Sequence, residues 1–152
     1  KVIKLSDSVY DNPSIAAVGV ACHEAGHAAQ HAEKYVPIRI RNYILPVCNI
    51  GSKISIPLLI AGVIFSAQPI IWIGIGLFAF TAIFQTVTLP VEFNASNRAL
   101  NVIESTGILS YEEKRGAGKV LKMAAMTYVA ALAMSLAQLL RLILRFGGNR
   151  RR

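Results

Sequence analysis

One uncharged stretch dominates this chain of 152 residues, running without interruption for 38 residues, from position 54 to position 91. As a helix rising about 1.5 Å per residue it would extend roughly 57 Å, close to twice the ~30 Å hydrocarbon thickness of a bilayer. Turn-forming residues at positions 66–69 interrupt it near the middle. The stretch therefore predicts a helical hairpin in a membrane, with transmembrane arms at about residues 54–66 and 70–90.

Composition supports a lipid environment. Hydrophobic residues make up 54% of the chain and charged residues 16%, below the roughly 25% charged share of soluble domains. The net charge is +8, but the basic residues flank apolar segments and do not alternate with aromatic ones, so no nucleic-acid partner is expected. Cys22 and Cys48 are too few and too far apart for a cysteine zinc site or a disulfide framework, and we expect two reduced thiols.

Caps and breakers divide the remaining sequence. Asn12 or Ser14 caps a first helix that runs to about residue 35. Residues 36–52 contain several helix breakers and predict a loop at the membrane interface. Within that loop, a short alternation at residues 38–41 fits a solvated connector better than an edge strand that pairs with substrate.

The second half of the chain predicts two more helices. One opens at Pro90 and ends at Gly107, and a capping box formed by Ser110 and Glu113 starts the next. The last helix begins with charged residues and then turns apolar, with many small residues that suit close helix contacts in lipid.

Together these elements predict the fold class. A third transmembrane segment is expected at about residues 123–144, and the basic tail at residues 149–152 is expected to fray and contact anionic headgroups. We therefore predict an all-α, integral membrane helical bundle with a transmembrane hairpin, forming a single domain over residues 1–152.

The predicted first helix carries a His-Glu-x-x-His motif formed by His23, Glu24 and His27. Positions i and i+4 lie on one helix face, so the two imidazoles can converge on one cation. The Glu24 carboxylate lies beside them, where it can take a proton from a zinc-activated water that attacks a peptide carbonyl. The motif predicts a zinc metallopeptidase with Glu24 as general base; the alternative is an amphipathic helix with a polar, solvent-facing side.

A catalytic zinc usually takes three protein ligands, so one more must come from another segment. Glu92 is favoured because it is the first charge after the hairpin, and a hairpin that crosses the membrane twice would return it to the side of His23 and His27. If only the second arm spans and the first is re-entrant, the segments before and after the hairpin would lie on opposite sides. The alternative is an ordinary first-turn glutamate stabilised by the helix dipole. His31 lies about 12 Å along the helix axis from His23 and is expected to be an outer contact or a surface residue. The remaining candidates are Asp7, Asp11, Glu33, Glu104, Glu112 and Glu113.

Basic residues predict the orientation in the membrane. Six Lys and Arg lie in residues 1–53 and five in residues 98–122, with none at the hairpin tip. By the positive-inside tendency, the active site faces the cytoplasm. The arginines at residues 150–152 would lie on the opposite side if the last helix spans.

Two blocks resemble the bacterial neutral zinc metallopeptidase family of integral membrane proteins: SIAAVGVACHEAGHAAQHAE at residues 14–33 and VTLPVEFNASNRAL at residues 87–100. A third stretch, TYVAA at residues 127–131, is also similar. The resemblance implies a membrane-embedded helical peptidase that holds one Zn²⁺. It also implies the roles of four residues, three zinc ligands followed by the base: His23, His27, Glu92 and Glu24.

The chain also resembles the HtpX-like membrane peptidases, which pair His-Glu-x-x-His with a later Glu-x-x-Ala-Asp. Ser96 stands where that pattern has aspartate, and Asn94 stands where the neutral family often has one. With His31, these residues are candidates to contact the ligand histidines, but they bring no charge, so weaker zinc binding is expected. The family usually carries more sequence before this start, so an N-terminal membrane helix is expected to be missing here.

The predicted function is therefore a zinc metallopeptidase of the bacterial cell membrane that hydrolyses peptide bonds of membrane or membrane-proximal proteins. Its expected partners are a polypeptide substrate and the lipid bilayer. A catalytically inactive membrane scaffold that binds metal is the alternative, favoured by the missing charges at Asn94 and Ser96. A metal transporter is less favoured because the hairpin has no charge to line a pathway.

Overall fold

A computed structural model describes residues 2–148, which form four α-helices. Their bounds are α1 Ile15–Ala32, α2 Val36–Ile64, α3 Gln68–Thr106 and α4 Tyr111–Gly147. No β-strand occurs within the described residues, so the all-α prediction is confirmed. The basic tail at residues 149–152 lies outside them.

The start of α1 follows from its capping residues. The Ser14 side chain accepts a hydrogen bond from the Ala17 amide at 3.2 Å, which satisfies one of the amides that a helix leaves free at its start. Asn12 lies before the cap, and its Oδ1 accepts a hydrogen bond from the Ser14 amide at 3.0 Å. Of the two predicted caps, Ser14 is therefore the N-cap. The helix ends before Lys34, whose φ of 57° is left-handed, slightly earlier than predicted.

The predicted loop at residues 36–52 is wrong, because these residues form the first part of α2. Pro37 lies in the first turn, where a helix needs no amide donor. Pro46 and Pro57 lie inside this helix of 29 residues, where each removes one backbone hydrogen bond without ending the helix. The apolar content and length of α2 therefore outweigh its breakers, as happens in membrane helices.

The turn in the uncharged stretch is where the sequence predicted it. Ser66 has a left-handed φ of 51°, and α3 begins two residues later. The predicted division at Pro90 is wrong, however, because Pro90 lies inside the continuous helix α3. The predicted stop is confirmed: α3 ends at Thr106, and Gly107 follows with a φ of 64°, which glycine adopts without a Cβ penalty.

The capping box before α4 is confirmed. The Ser110 amide donates to Glu113 Oε2 at 2.8 Å, and the Glu113 amide donates in return to Ser110 Oγ at 3.4 Å. These bonds satisfy two amides that would otherwise lack partners at the helix start. Ser110 and Glu113, which predicted the start of α4, therefore form the predicted hydrogen bonds.

Backbone contacts divide the helices into two compact units. The first contains α1, the part of α3 from Thr88 onward and α4 as far as Tyr128. Its core consists mostly of small residues, which let helix backbones approach closely. The apolar residues with no exposed surface in this core are Val91, Ala95, Ala99, Ile103 and Ala117.

The second unit contains most of α2, α3 up to Val87 and α4 from Val129. Two side chain to backbone hydrogen bonds join its helices: the Cys48 thiol donates to the Phe80 carbonyl at 3.4 Å, and Gln68 Nε2 donates to the Phe146 carbonyl at 2.9 Å. Neither Cys48 nor Cys22 is in a disulfide, as expected.

Three helices, α2, α3 and α4, are long and apolar enough to cross a membrane. On α2, for example, Ile56, Ile60 and Ile64 are 57%, 55% and 70% exposed one turn apart, an apolar stripe that suits lipid and not water. The predicted transmembrane segments fall within these longer helices, apart from the turn at residues 65–66. Their exact limits, and the single domain over residues 1–152, stay predictions.

Candidate metal centre

Helix α1 presents His23 and His27 one turn apart on the same face. Their ring centroids lie 4.6 Å apart, and the ring planes are nearly perpendicular at 84°. Glu24 follows His23 directly and is half-buried. The helix thus places two nitrogen donors on one face, as the spacing predicts, with the motif glutamate next to the first of them in the sequence.

Helix α3 brings Glu92 to these histidines. Glu92 Oε2 lies 3.3 Å from His23 Nε2 and 3.6 Å from His27 Nε2, and one donor atom from each of the three residues lies within 4.8 Å of the others. A tetrahedral zinc with donor distances of about 2.0–2.2 Å separates neighbouring donors by roughly 3.3–3.6 Å. Both separations from Glu92 lie in that range, so the donor set fits zinc in its chemistry and Glu92 fits it in spacing.

Burial makes a cation favourable at this position. Glu92 is only 4% exposed, and a carboxylate removed from water needs a positively charged partner. Interaction with Glu92 is the main cause that raises the pKa of His27 above its ordinary value, and burial opposes it. A proton on His27 and a metal ion at the donor atoms are therefore alternative ways to balance the same carboxylate.

Gly26 allows α1 and α3 to approach closely beside the donor atoms. A Cβ at this position would lie 2.7 Å from the Ala95 carbonyl oxygen, closer than any ordinary contact. Only glycine therefore fits, and its contact with α3 lies one residue from His27 and three from Glu92. The glycine in the motif thus helps to determine where the third donor lies.

Each ligand histidine also has a partner on its second ring nitrogen. Ser96 Oγ lies 3.2 Å from His23 Nδ1, and Gln30 Oε1 lies 3.0 Å from His27 Nδ1. Both contacts leave Nε2 directed at Glu92, and such partners orient metal-bound histidines in many proteins. Ser96 was a predicted outer contact. Gln30 was missed, although a polar residue three positions after His27 on the same buried face was the available signal.

The other predicted outer contacts are arranged differently. Asn94 Oδ1 does not face a histidine; it accepts from Gln30 Nε2 at 2.9 Å and from Arg98 Nε at 2.8 Å. His31 is half-buried one turn beyond His27. Asn94 therefore reaches His27 only through Gln30.

The remaining candidate ligands lie elsewhere in the described residues. Glu33 pairs with Arg98, Glu104 with Lys114, and Glu112 with Arg115. Hydrogen bonding to Arg98 is the main cause that lowers the pKa of Glu33. Glu113 serves in the capping box, while Asp7 and Asp11 are exposed in the segment before α1. Of all the candidates, the structure brings only Glu92 to the histidine pair.

Fold and site together define a class of protein: a helical membrane protein with a His-His-Glu group that could hold a metal ion, next to a motif glutamate. The chain belongs to the family described as "Putative neutral zinc metallopeptidase", which it matches over residues 1–147. The predicted resemblance to the neutral zinc metallopeptidases is thus confirmed.

A curated relative agrees with this family. The chain is 45% identical over 150 residues to "Putative membrane protease YugP" of Bacillus subtilis (strain 168), and the alignment covers 99% of this chain and 67% of that protein. No solved structure matches the chain. The similarity to HtpX-like peptidases stays a prediction.

Proposed function

We propose that this protein is a zinc-dependent endopeptidase of the bacterial cell membrane that hydrolyses peptide bonds in membrane or membrane-proximal polypeptides. The observation that carries the proposal is the spacing of the three donor atoms, 3.3 and 3.6 Å from Glu92 Oε2 to the two histidine nitrogens. The motif glutamate beside them and the family support it. The apolar helices favour substrates that are in the bilayer or next to it.

In this proposal His23, His27 and Glu92 hold the ion, and Glu24 moves the proton. Bound zinc supplies Lewis acidity, which polarises a carbonyl and lowers the pKa of water. The Glu24 carboxylate accepts a proton from the attacking water and then delivers it to the leaving amine nitrogen. The rings of His23 and His27 stay in place because Ser96 and Gln30 contact their Nδ1 atoms.

The substitution Glu24→Gln tests the mechanism, because it keeps the size of the side chain and removes the base. Zinc content is expected to match that of the unaltered protein, while cleavage of an unfolded polypeptide in lipid is expected to fall about 10²–10⁴-fold. Equal cleavage by both proteins would rule out Glu24 as base. A zinc-loaded protein that cleaves nothing would instead favour the noncatalytic scaffold.

The substitution Glu92→Gln tests the third ligand separately. It keeps the shape of the side chain but removes the negative charge that balances the ion. Zinc content measured after dialysis is expected to fall well below one ion per chain. Full zinc occupancy in this variant would show that the third ligand lies elsewhere.

We further propose that the active site faces the cytoplasm, supported by the eleven Lys and Arg residues that flank the uncharged stretch. A cysteine introduced at the exposed residue Lys119, in a variant without the native cysteines, tests this. A membrane-impermeant thiol reagent added to intact cells is expected to leave it unmodified. Modification of this cysteine by the external reagent would show that the active site faces the outside of the cell.

A further inference from the structure

Gln30 is a buried glutamine that the proposed mechanism does not use as ligand or base. It has no exposed surface, so each of its polar atoms needs a partner inside the protein. Its Oε1 lies 3.0 Å from His27 Nδ1, while its Nε2 donates to the Val91 carbonyl at 2.8 Å and to Asn94 Oδ1 at 2.9 Å. The side chain thus joins α1 to α3 beside a zinc ligand.

The surroundings of Gln30 determine which way its amide points. A carbonyl oxygen accepts hydrogen bonds and never donates them, so the amide atom facing Val91 must be the nitrogen. Asn94 gives a second, independent reason. The donor-only Arg98 Nε fixes an oxygen at that position of Asn94, and this same oxygen faces Gln30. Both neighbours require a donor from Gln30, which leaves its oxygen facing His27.

This orientation determines the tautomer of His27. Because Gln30 Oε1 can only accept, His27 Nδ1 must carry a hydrogen, and in the neutral imidazole Nε2 then has the lone pair. That lone pair is on the atom nearest Glu92, where the ion would bind. Ser96 does not fix His23 in the same way, since a hydroxyl can rotate and either donate or accept.

We propose that Gln30 is a positioning residue that holds the proton of His27 on Nδ1 and so prepares Nε2 for the metal ion. The inference rests on the proposed metal site and deepens it. The hydrogen bonds continue to the protein surface, because Arg98 also donates to both carboxylate oxygens of Glu33, at 2.8 and 2.6 Å. This ion pair keeps Arg98 directed at Asn94, so the position of the His27 proton is fixed by a continuous set of contacts.

The substitution Gln30→Met tests this role, because methionine has a similar length and helix propensity but cannot accept the His27 proton or donate to α3. The matched control is Gln68→Met, which removes a glutamine bond to a helix carbonyl in the unit without zinc ligands. Zinc affinity is measured by competition with a chelator in detergent. We expect it to fall by roughly 10–100-fold in Gln30→Met and to be unchanged in Gln68→Met.

If Gln30 only joined the two helices, it would have no effect on the tautomer of His27. The second measurement therefore determines which ring nitrogen of His27 carries the hydrogen. The chain has three histidines, so their ring signals can be resolved by nitrogen-15 NMR of the zinc-loaded protein. We expect Nε2 of His27 to be bound to metal and its Nδ1 hydrogen to be protected from exchange. Because this spectrum needs no variant, metal bound through Nδ1 of His27 would overturn the role of Gln30 even if Gln30→Met fails to fold.

The outcomes separate this inference from the proposed function. Unchanged zinc affinity in Gln30→Met, or metal bound through Nδ1 of His27, overturns the role of Gln30 even if the protein cleaves peptides. A protein that shows the expected affinity loss and protected hydrogen but cleaves nothing overturns the peptidase and leaves the role of Gln30 intact. A chain that binds no zinc overturns both.

Discussion

Replacing Gly26 with alanine tests whether close contact between α1 and α3 sets the geometry of the metal site. The added Cβ would lie 2.7 Å from the Ala95 carbonyl oxygen and 3.2 Å from the Ala95 Cα. Since carbon–oxygen contacts normally begin near 3.3 Å, the two helices must separate by about 0.6 Å. The atoms of Ala95 that clash are backbone atoms, which cannot rotate away as a flexible side chain can.

A separation of this size matters because the proposed zinc ligands come from both helices. It exceeds the ~0.2 Å tolerance of zinc–ligand distances. We expect zinc affinity to fall by about tenfold or more, which corresponds to about 1.4 kcal/mol or more of binding free energy. The free energy of unfolding changes less: overpacking costs about 1–3 kcal/mol, and alanine returns about 1 kcal/mol over glycine in a helix interior, leaving a net loss of about 0–2 kcal/mol.

The assay is a zinc titration against a chelator of known affinity, with helix content followed by circular dichroism. Gly19→Ala is the matched control, because it makes the same substitution in α1 but places the new Cβ 3.4 Å from the Ala117 Cβ, an ordinary contact. The control is expected to keep the zinc affinity of the unaltered protein. If Gly26→Ala also keeps it, close contact at Ala95 does not position Glu92 and the reasoning is refuted.

Two further predictions concern the charges around the site. Protonated His27 stabilises the metal-free protein at pH values below 6.5, and this contribution is lost as the pH rises through the raised pKa of the folded state. The zinc-induced rise in Tm should therefore be larger at about pH 8 than at about pH 6, and an equal rise at both would contradict competition between proton and metal. Both contacts of Asn94 use its oxygen as acceptor, so Asn94→Asp should change zinc affinity by less than about threefold, whereas Asn94→Leu should lower it about tenfold. A tenfold gain in Asn94→Asp would show that the missing charge matters.

Local signals in the sequence predicted the elements that depend on neighbouring residues. The N-cap at Ser14, the turn around Ser66, the stop at Gly107 and the capping box at Ser110 each rest on hydrogen bonds or dihedral angles within a few residues. Such features can be inferred from a single stretch of sequence. The alternation of apolar and charged segments likewise predicted the all-α membrane class.

The errors arose where a local signal was outweighed by the rest of a helix. Prolines suggested a loop before residue 52 and a division at Pro90, but α2 and α3 continue through these positions. One missing hydrogen bond costs less than ending a long apolar helix in lipid, where every exposed backbone group lacks a partner. Gln30 was missed for another reason: its function depends on the Val91 carbonyl and on Asn94, distant residues that only the packing of α1 against α3 brings to it.

The contact between α1 and α3 combines the packing of the first unit with its proposed metal site. The same surface contains the tight approach of Gly26 to Ala95, the bond from Gln30 to the Val91 carbonyl, and the donor atoms of both helices. An ion bound there joins the two helices, and at a zinc concentration one hundred times the Kd it adds about 2.7 kcal/mol to the folded state. Because each outer contact restricts a ligand before the ion arrives, less ordering remains to oppose binding. The neutral residues at positions 94 and 96 are therefore consistent with a functional site, since an amide oxygen and a hydroxyl make these contacts without a charge.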